Sequence, residues 1–235
     1  MDVLFYEGVH SVIFGNKHSW LDWRLVPLSK PVIPPPELVE NYVDIPGANG
    51  QLDLTEIMNG FPTFKNRSGE LSFIIDPAYW FLDKAYPEIA NTIHGQRMRV
   101  ILTDDPEWCY EGRVTISNAE AGKDYSTIVF KYVFDPFKLT VNPLPGFEDL
   151  TVPATGSTSL TVDISVGLSP MRAVPKITSS ASMMATLHRE GEEDVSTSIV
   201  HGSYRYPALV LGPGLNQITF TGSGTVSIEV RGGSL

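Results

Sequence analysis

The side chains that could bind a metal or act as a general base are scattered along the chain. Its five histidines are far apart, and no two stand at the spacing of a metal site: His10, His18, His94, His188 and His201. The sequence contains no GxSxG, no phosphate-binding loop, no GxGxxG and no HExxH motif. These residues give no support to an enzymatic function, and we expect neither a cofactor nor a metal.

Two acidic clusters and a pair of tryptophans could carry chemistry, but each has a simpler structural interpretation. Asp104 and Asp105 precede a proline between two strands, which favours an Asx-type turn over an acid–base pair. Glu190–Asp194 lacks the alternating oxygen ligands of a calcium loop and is typical of a solvated hairpin tip. Trp20 and Trp23 could stack against a sugar, although aromatic side chains in β-proteins more often lie in a core or an interface.

Composition narrows the possible partners. The chain has 235 residues, of which 42% are hydrophobic, and a net charge of −10. Because affinity for nucleic-acid backbones comes largely from Lys and Arg, we expect any contact with DNA to be non-adhesive. The single cysteine, Cys109, excludes an intrachain disulfide and is expected to be a buried thiol. A signal peptide and an apolar run of about 20 residues are both missing, so we expect no membrane contact.

A hairpin is predicted at Val43–Glu56, "VDIPGANGQLDLTE". The register that gathers the apolar side chains on one face has the facing pairs Ile45–Leu52, Val43–Leu54 and Asp44–Asp53. The two facing aspartates would repel each other. The lead "KPVIPPPELVENY" is too rich in proline to lie within a sheet, so residues 31–56 are expected to project from the domain.

The elements around this hairpin are predicted to be short strands and one helix. Alternating apolar side chains predict a strand with one buried face: Ile128, Phe130, Tyr132 and Phe134. In "YPEIANTIHG", Pro87 suits the first helical position and Gly95 suits the C-terminal cap. Ile89 and Ile93 would form the buried stripe of this helix, while Asp76 would cap a preceding turn.

A run rich in proline and glycine, Asp135–Ser157, predicts a boundary between two domains, 1–139 and 140–235. Beyond it the sequence alternates regularly, as in Leu160, Val162, Ile164 and Val166. This spacing of strands and turns favours a small antiparallel β-sandwich.

Several motifs in a fixed order resemble those of siphophage distal tail proteins, and together they span nearly the whole chain. The family's "W-x-D-W-x-L" opening is similar to Trp20–Leu25, and its "Y-V-D-I-P-G-x-x-G-x-L-D-L-T" segment to Tyr42–Thr55. "FKNRSGELSF" (64–73) follows in the expected place, as does "IANTIHGQRMRVILTDDPEWCYEGRV" (89–114). The ending "GTVSIEVRGGSL" (224–235) resembles the last strand of the family.

The resemblance implies a fold and an assembly. The family has a tail-tube-like N-terminal β-domain that forms a six-membered ring, followed by a galectin-like or carbohydrate-module-like β-sandwich. It implies a virion protein that connects the tail tube above to tail-tip, baseplate and receptor-binding proteins below. The ring's central channel would let DNA leave the particle, and the chain would be made in the host cytoplasm.

The resemblance also suggests a use for the hairpin. In a ring, a neighbouring subunit could complete its apolar face, which gives the interface candidates Val43, Ile45, Leu52 and Leu54. Asp44 and Asp53 would face water or a cation such as Arg67 of the same or the next subunit. An alternative is a tail-tip protein that binds host carbohydrate through Tyr204 and Tyr206, although the second domain is too short for an added sugar-binding module.

Overall fold

The structure is a computed structural model that describes residues 10–47, 49–57, 60–75, 82–122, 125–153, 159–167 and 170–235. The chain divides into two compact units, a first unit of Met1–Lys138 together with Leu235 and a second unit of Leu139–Ser234. The sequence placed the boundary between residues 139 and 140. Each unit consists mainly of antiparallel strands around a core of its own, and the predicted mainly-β class is confirmed.

The first unit contains nine strands and one helix among its described residues. They are β1 (Val12–Phe14), β2 (Lys17–His18), β3 (Leu25–Pro27), β4 (Tyr42–Asp44), β5 (Gln51–Asp53), β6 (Arg67–Ile75), α1 (Leu82–Ile93), β7 (Gln96–Leu102), β8 (Trp108–Ala121) and β9 (Ser126–Phe134). Seven of these strands form one antiparallel sheet in the order β2-β1-β7-β8-β9-β6-β3. The strands β4 and β5 form a separate two-stranded sheet.

The core of the first unit lies on one face of this sheet. The predicted apolar stripe of β9, from Ile128 to Phe134, is buried, and the ring of Phe130 lies 5.1 Å from that of Phe14 and 5.4 Å from that of Phe73. Gly112 in β8 lies so close to β9 that a Cβ atom would stand 2.2 Å from a backbone oxygen of Val133. The glycine of the "EGR" motif is therefore required by the close approach of two strands.

The helix is longer than predicted, and the expected position of Pro87 is wrong. Helix α1 begins at Leu82, so Pro87 lies inside it. An interior proline costs about 3 kcal/mol, but burying Ile89 and Ile93 against the sheet contributes about 1.5–3 kcal/mol each and outweighs that cost. The predicted stripe is confirmed, and so is the C-terminal cap, since Gly95 has φ +75°. Asp76 lies outside the described residues.

The second unit is the predicted β-sandwich. Its strands are β10 (Lys138–Thr140), β11 (Leu150–Val152), β12 (Leu160–Ser165), β13 (Lys176–Ser179), β14 (Met183–His188), β15 (Val195–Ile199), β16 (Gly202–Arg205), β17 (Leu215–Thr221), β18 (Gly224–Glu229) and β19 (Gly233–Ser234). Two four-stranded sheets have the orders β11-β18-β13-β16 and β12-β17-β14-β15, and β10 pairs with β19. The predicted tip at Glu190–Asp194 connects β14 to β15.

Both sheets of the second unit contribute to a single apolar core that includes Val162, Ile164, Phe220 and Ile228. The buried polar side chain of Asn216 closes the loop before β17, because its amide accepts the N–H of Gly212 (2.8 Å) and donates to the oxygen of the same residue (2.9 Å).

In the part of the chain that the structure describes, no helix is long and apolar enough to cross a membrane.

Candidate assembly interface

Among the described residues, the side chains that could bind a metal or act as a base do not converge on one site. The described residues include no group of three or more His, Cys, Asp or Glu that could hold a metal. His10 Nδ1 lies 2.7 Å from Asp104 Oδ2, and Asp105 Oδ2 lies 2.8 Å from Lys138 Nζ, within the predicted turn. His94, just after α1, accepts a backbone N–H of β8 at 3.1 Å. Each of these groups has a structural role.

The aromatic motif near the N-terminus is likewise structural. Trp23 is fully buried in the core of the first unit, and its indole N–H donates to Glu88 at 3.3 Å. The guanidinium of Arg24 stands 5.1 Å from the ring centre of Trp20. His18 Nδ1 accepts two backbone N–H groups at 3.2 Å, and burial lowers the pKa of this imidazole although Asp22 opposes the shift. Cys109 is buried, as predicted.

The most unusual feature of the first unit is an extended segment, residues 31–65, which we call the arm. The outgoing and the returning segment of the arm are hydrogen-bonded to each other near its base. There the N–H of Val39 donates to Thr63 O (2.9 Å) and the N–H of Lys65 donates to Glu37 O (2.8 Å). Ile33 is buried in the core and fixes the start of the arm. Beyond this base the arm ends in the hairpin of β4 and β5.

The predicted hairpin exists, but its predicted register is wrong by two residues. The facing pairs are Tyr42–Asp53, Val43–Leu52 and Asp44–Gln51. A shift of two keeps Val43 and Leu52 on one face, because side chains alternate with period two. It also separates the two aspartates, and Gln51 Nε2 donates to Asp44 Oδ1 at 2.9 Å. The repulsion that the predicted register required is therefore absent from this hairpin.

The apolar side chains of the arm are exposed in the single chain. Eight of the seventeen large hydrophobic side chains exposed among the described residues lie in or just before the arm: Leu28, Val32, Val39, Tyr42, Val43, Ile45, Leu52 and Ile57. Leu52 is 47% exposed and Ile57 is 69% exposed. In addition, β4 and β5 pair only with each other in the described structure, so both outer edges of the hairpin are open. A two-stranded hairpin of this kind is marginally stable by itself.

The arm is also strongly acidic. Its sequence has a single cation, Lys65, which lies at the base and pairs with Glu37 at 3.1 Å. Against it stand five carboxylates: Glu37, Glu40, Asp44, Asp53 and Glu56. The side chain and then the backbone N–H of Thr55 donate to Asp53 and lower its pKa, so this carboxylate stays ionised. Its charge, followed by that of Glu40, raises the pKa of Tyr42. The tip therefore combines apolar side chains with a negative field.

Arg67 does not lie near the aspartates of its own arm. It is 4% exposed, at the start of β6, and it fixes the base of the arm. Its Nη1 donates to Pro34 O (2.8 Å) and its Nε donates to Pro136 O (2.7 Å), while the Tyr110 ring stands 5.4 Å from the guanidinium. These hydrogen bonds hold Arg67 at the base of the arm, and no signal in the sequence pattern indicated them. Neutralisation of Asp44 and Asp53 by a cation of a neighbouring subunit stays a prediction.

The candidate sugar-binding aromatics lie on the edge strand β16 and just beyond it. Tyr204 is 52% exposed, and its ring stands edge-on to that of Tyr206 with 6.5 Å between ring centres. The hydroxyl of Tyr206 accepts the N–H of Val200 at 3.0 Å, which holds that ring in place. A single exposed ring is a small platform, and glycan binding stays a prediction.

Comparison with known proteins identifies the fold. No protein-family model and no curated protein sequence matches the chain. The chain is similar to a structure described as "Crystal Structure of SPP1 Dit (gp 19.1) Protein, a Paradigm of Hub Adsorption Apparatus in Gram-positive Infecting Phages". The TM-score is 0.59 at 14% identity, and the match covers 97% of this chain and 100% of that one. The resemblance drawn from the sequence motifs is thus confirmed at the level of the fold.

Proposed function

We propose that this chain is a structural adaptor of a phage virion, the distal hub of a long tail, and that it assembles through its first unit into a ring of six copies. The fold, similar to that of a hub protein, supports this proposal. The observation that carries it is the arm, whose exposed apolar side chains and open strand edges have no partner within the described chain.

A ring explains both the exposed apolar side chains of the arm and its open strand edges. In a closed ring each subunit meets its neighbour head to tail, so the arm of one copy reaches a different surface of the next. Covering a half-exposed leucine or isoleucine contributes about 1 kcal/mol, and several such side chains per arm give a few kcal/mol at each contact. The base, fixed by Arg67 and Ile33, reduces the entropy that docking would cost.

The role that follows is mechanical and not catalytic. The ring would connect the tail tube above to the tail-tip and receptor-binding proteins below, and DNA would leave through its channel. An acidic wall forms few phosphate contacts, so a duplex would pass without being held. The protein would act in the virion tail tip after synthesis in the host cytoplasm.

The proposal is tested by the mass of the purified chain. We expect native mass spectrometry to find a six-copy species and negative-stain microscopy to show a ring with a hole wide enough for duplex DNA. Replacing Leu52 and Leu54 of the arm with Ala should weaken assembly, because it removes apolar contact area while leaving the domain core intact.

The matched control is Leu215→Ala, which truncates a leucine of the second unit that is 64% exposed. This variant should assemble like the unmodified chain. The proposal would be contradicted if the purified chain stayed monomeric at high concentration. It would also be contradicted if the arm substitutions left the ring unchanged.

A further inference from the structure

The strand β15 lies at an open edge of a sheet in the second unit. It is the last strand in the order β12-β17-β14-β15, and it pairs on one side only, with β14. Among the described residues, no backbone hydrogen bond joins its outer edge to another segment. The outward N–H and C=O groups of a strand in this position can pair with a further strand.

The edge of β15 lacks the features that protect most open edges, namely a charge, a proline or a bulge. Its five residues, Val195–Ile199, include no charged residue, no Gly and no Pro, and its register with β14 is continuous. The other edge strands of the two four-stranded sheets are less suited to pairing. Strand β12 carries Asp163, β16 begins at Gly202 with φ +113°, and β11 has only three residues before Pro153.

The sequence of β15, V-S-T-S-I, reads almost the same in both directions. If two copies pair antiparallel around a two-fold axis through Thr197, Val195 of one copy lies opposite Ile199 of the other. Ser196 then lies opposite Ser198, and Thr197 lies opposite itself. Pairs of aliphatic side chains and pairs of hydroxyls stabilise neighbouring strands. A second copy of β15 is therefore a complementary partner for this edge.

The two faces of such a pair would also match. The three odd-numbered residues of β15 lie on the core side, opposite buried side chains of β14, and the two serines lie on the solvent side. In the symmetric register odd-numbered residues meet odd-numbered ones, so the core face of one copy continues into the core face of the other. The two four-stranded sheets would become one sheet of eight strands.

The residues on either side of β15 extend the complementarity. In the same register Glu193 of one copy lies opposite His201 of the other, and the two-fold axis produces this pair twice. Both side chains are exposed, and within the described residues neither is hydrogen-bonded or ion-paired. Since a carboxylate accepts a hydrogen bond from an imidazole, these pairs favour the symmetric register over one shifted by two residues, in which Val195 would lie opposite Thr197.

We infer that the second unit associates with a second copy of itself through β15, in an isologous contact that extends the sheet across a two-fold axis. This contact goes beyond the proposed ring and does not depend on it, because it uses the second unit. Neighbouring subunits of a cyclic ring are not related by a two-fold axis, so β15 would join copies that belong to two different rings. One five-residue strand buries little surface, but six such contacts between two rings would act together.

Opposite charges at position 197 test the two-fold register. In sedimentation velocity at high concentration, the unmodified chain should double its mass, from six copies to twelve or, without a ring, from one copy to two. Thr197→Lys should weaken this doubling at least about tenfold, because it places two ammonium groups opposite each other, and Thr197→Glu should do the same. An equimolar mixture of the two variants should restore the doubling, since only an isologous contact brings position 197 opposite itself.

The matched control is Thr161→Lys, which makes the same change on β12 at the other edge of the same sheet. This variant should double its mass like the unmodified chain. If Thr197→Lys lowers the melting temperature, a charge exchange at exposed positions outside the strand replaces it. Glu193→Lys should then weaken the doubling, and Glu193→Lys/His201→Glu should restore it.

The inference is overturned if the unmodified chain never doubles its mass, whatever species it starts from. It is also overturned if Thr197→Lys doubles like the unmodified chain, or if the mixture of the two variants at position 197 fails to recover the doubling. The ring and the β15 contact fail separately. Doubling from one copy to two would refute the ring and support the contact, whereas a six-copy species that never doubles would support the ring and refute the contact.

Discussion

Buried and half-buried polar residues of the first unit fix the position of segments that lie at its surface. Arg67 is the clearest case, because one guanidinium joins the base of the arm to the end of β9 through two backbone carbonyls, of Pro34 and Pro136. Lysine at this position would keep the charge but could not reach both carbonyls in the same geometry.

We expect Arg67→Lys to lower the free energy of unfolding by about 1–3 kcal/mol, since a buried carbonyl loses a charge-assisted hydrogen bond. Urea denaturation measures this change, and limited proteolysis should show faster cleavage within the arm. The same substitution at Arg99, whose exposed guanidinium pairs with Glu111, should change stability by less than about 0.5 kcal/mol. Equal effects at both positions would refute the role of Arg67.

His18 gives the first unit a dependence on pH. Its pKa in the folded chain is lowered by burial, with Asp22 acting in the opposite direction, and its Nδ1 must be unprotonated to accept two N–H groups. A folded pKa below the unfolded value of about 6.5 means that stability is fully present above that pH. It is lost as the pH falls through the unfolded pKa toward the folded one.

The melting temperature should therefore fall more between pH 7.5 and 5 for the unmodified chain than for His18→Asn. An asparagine side chain can accept the same N–H groups without taking up a proton. Scanning calorimetry across this range measures the difference. If the melting temperatures of the two proteins fell equally with pH, His18 would not take up a proton on unfolding.

Among the elements, α1 contains a local conflict that the core resolves. Pro87 is exposed on the helix and has no N–H to donate, while Ile89 and Ile93 hold the helix against the sheet. Helix and sheet together thus tolerate a residue that would break an isolated helix of this length.

Replacing Pro87 with Ala should raise the free energy of unfolding by about 1–2 kcal/mol, because it restores a helix donor and outweighs the greater freedom of the unfolded chain. Urea denaturation provides the measurement. Lys84→Ala, also exposed on α1, is the control and should stay within about 0.5 kcal/mol. If Pro87→Ala lowered the free energy of unfolding, the expected cost of a proline inside this helix would be refuted.

At the scale of the whole molecule, the proposed ring makes stability depend on concentration. A chain that is completed by its neighbours is stabilised by mass action, so its melting temperature should rise with protein concentration. The arm variant Leu52→Ala/Leu54→Ala should lose this rise, whereas Leu215→Ala should keep it. Differential scanning fluorimetry over a hundredfold range of protein concentration measures the melting temperature of each variant.

The sequence by itself determined the features that depend on local periodicity and composition. The alternation of Ile128 to Phe134 required a half-buried strand, Gly95 required a helix end, and the turn between the alternating runs of the arm required a hairpin. These follow from backbone geometry and from the cost of exposing apolar side chains, which act over a few residues. The order of the motifs also sufficed to indicate the fold that the structural comparison confirms.

Only the tertiary structure decided what depends on contacts between distant segments. The hairpin register moved by two residues, so that Gln51 and not Asp53 faces Asp44, and periodicity alone cannot distinguish two registers of equal parity. Arg67 became the anchor of the arm, and β15 became an open edge of its sheet. Side chains far apart along the chain meet only when the sheets form, since it is the packing of strands that determines which of them become neighbours.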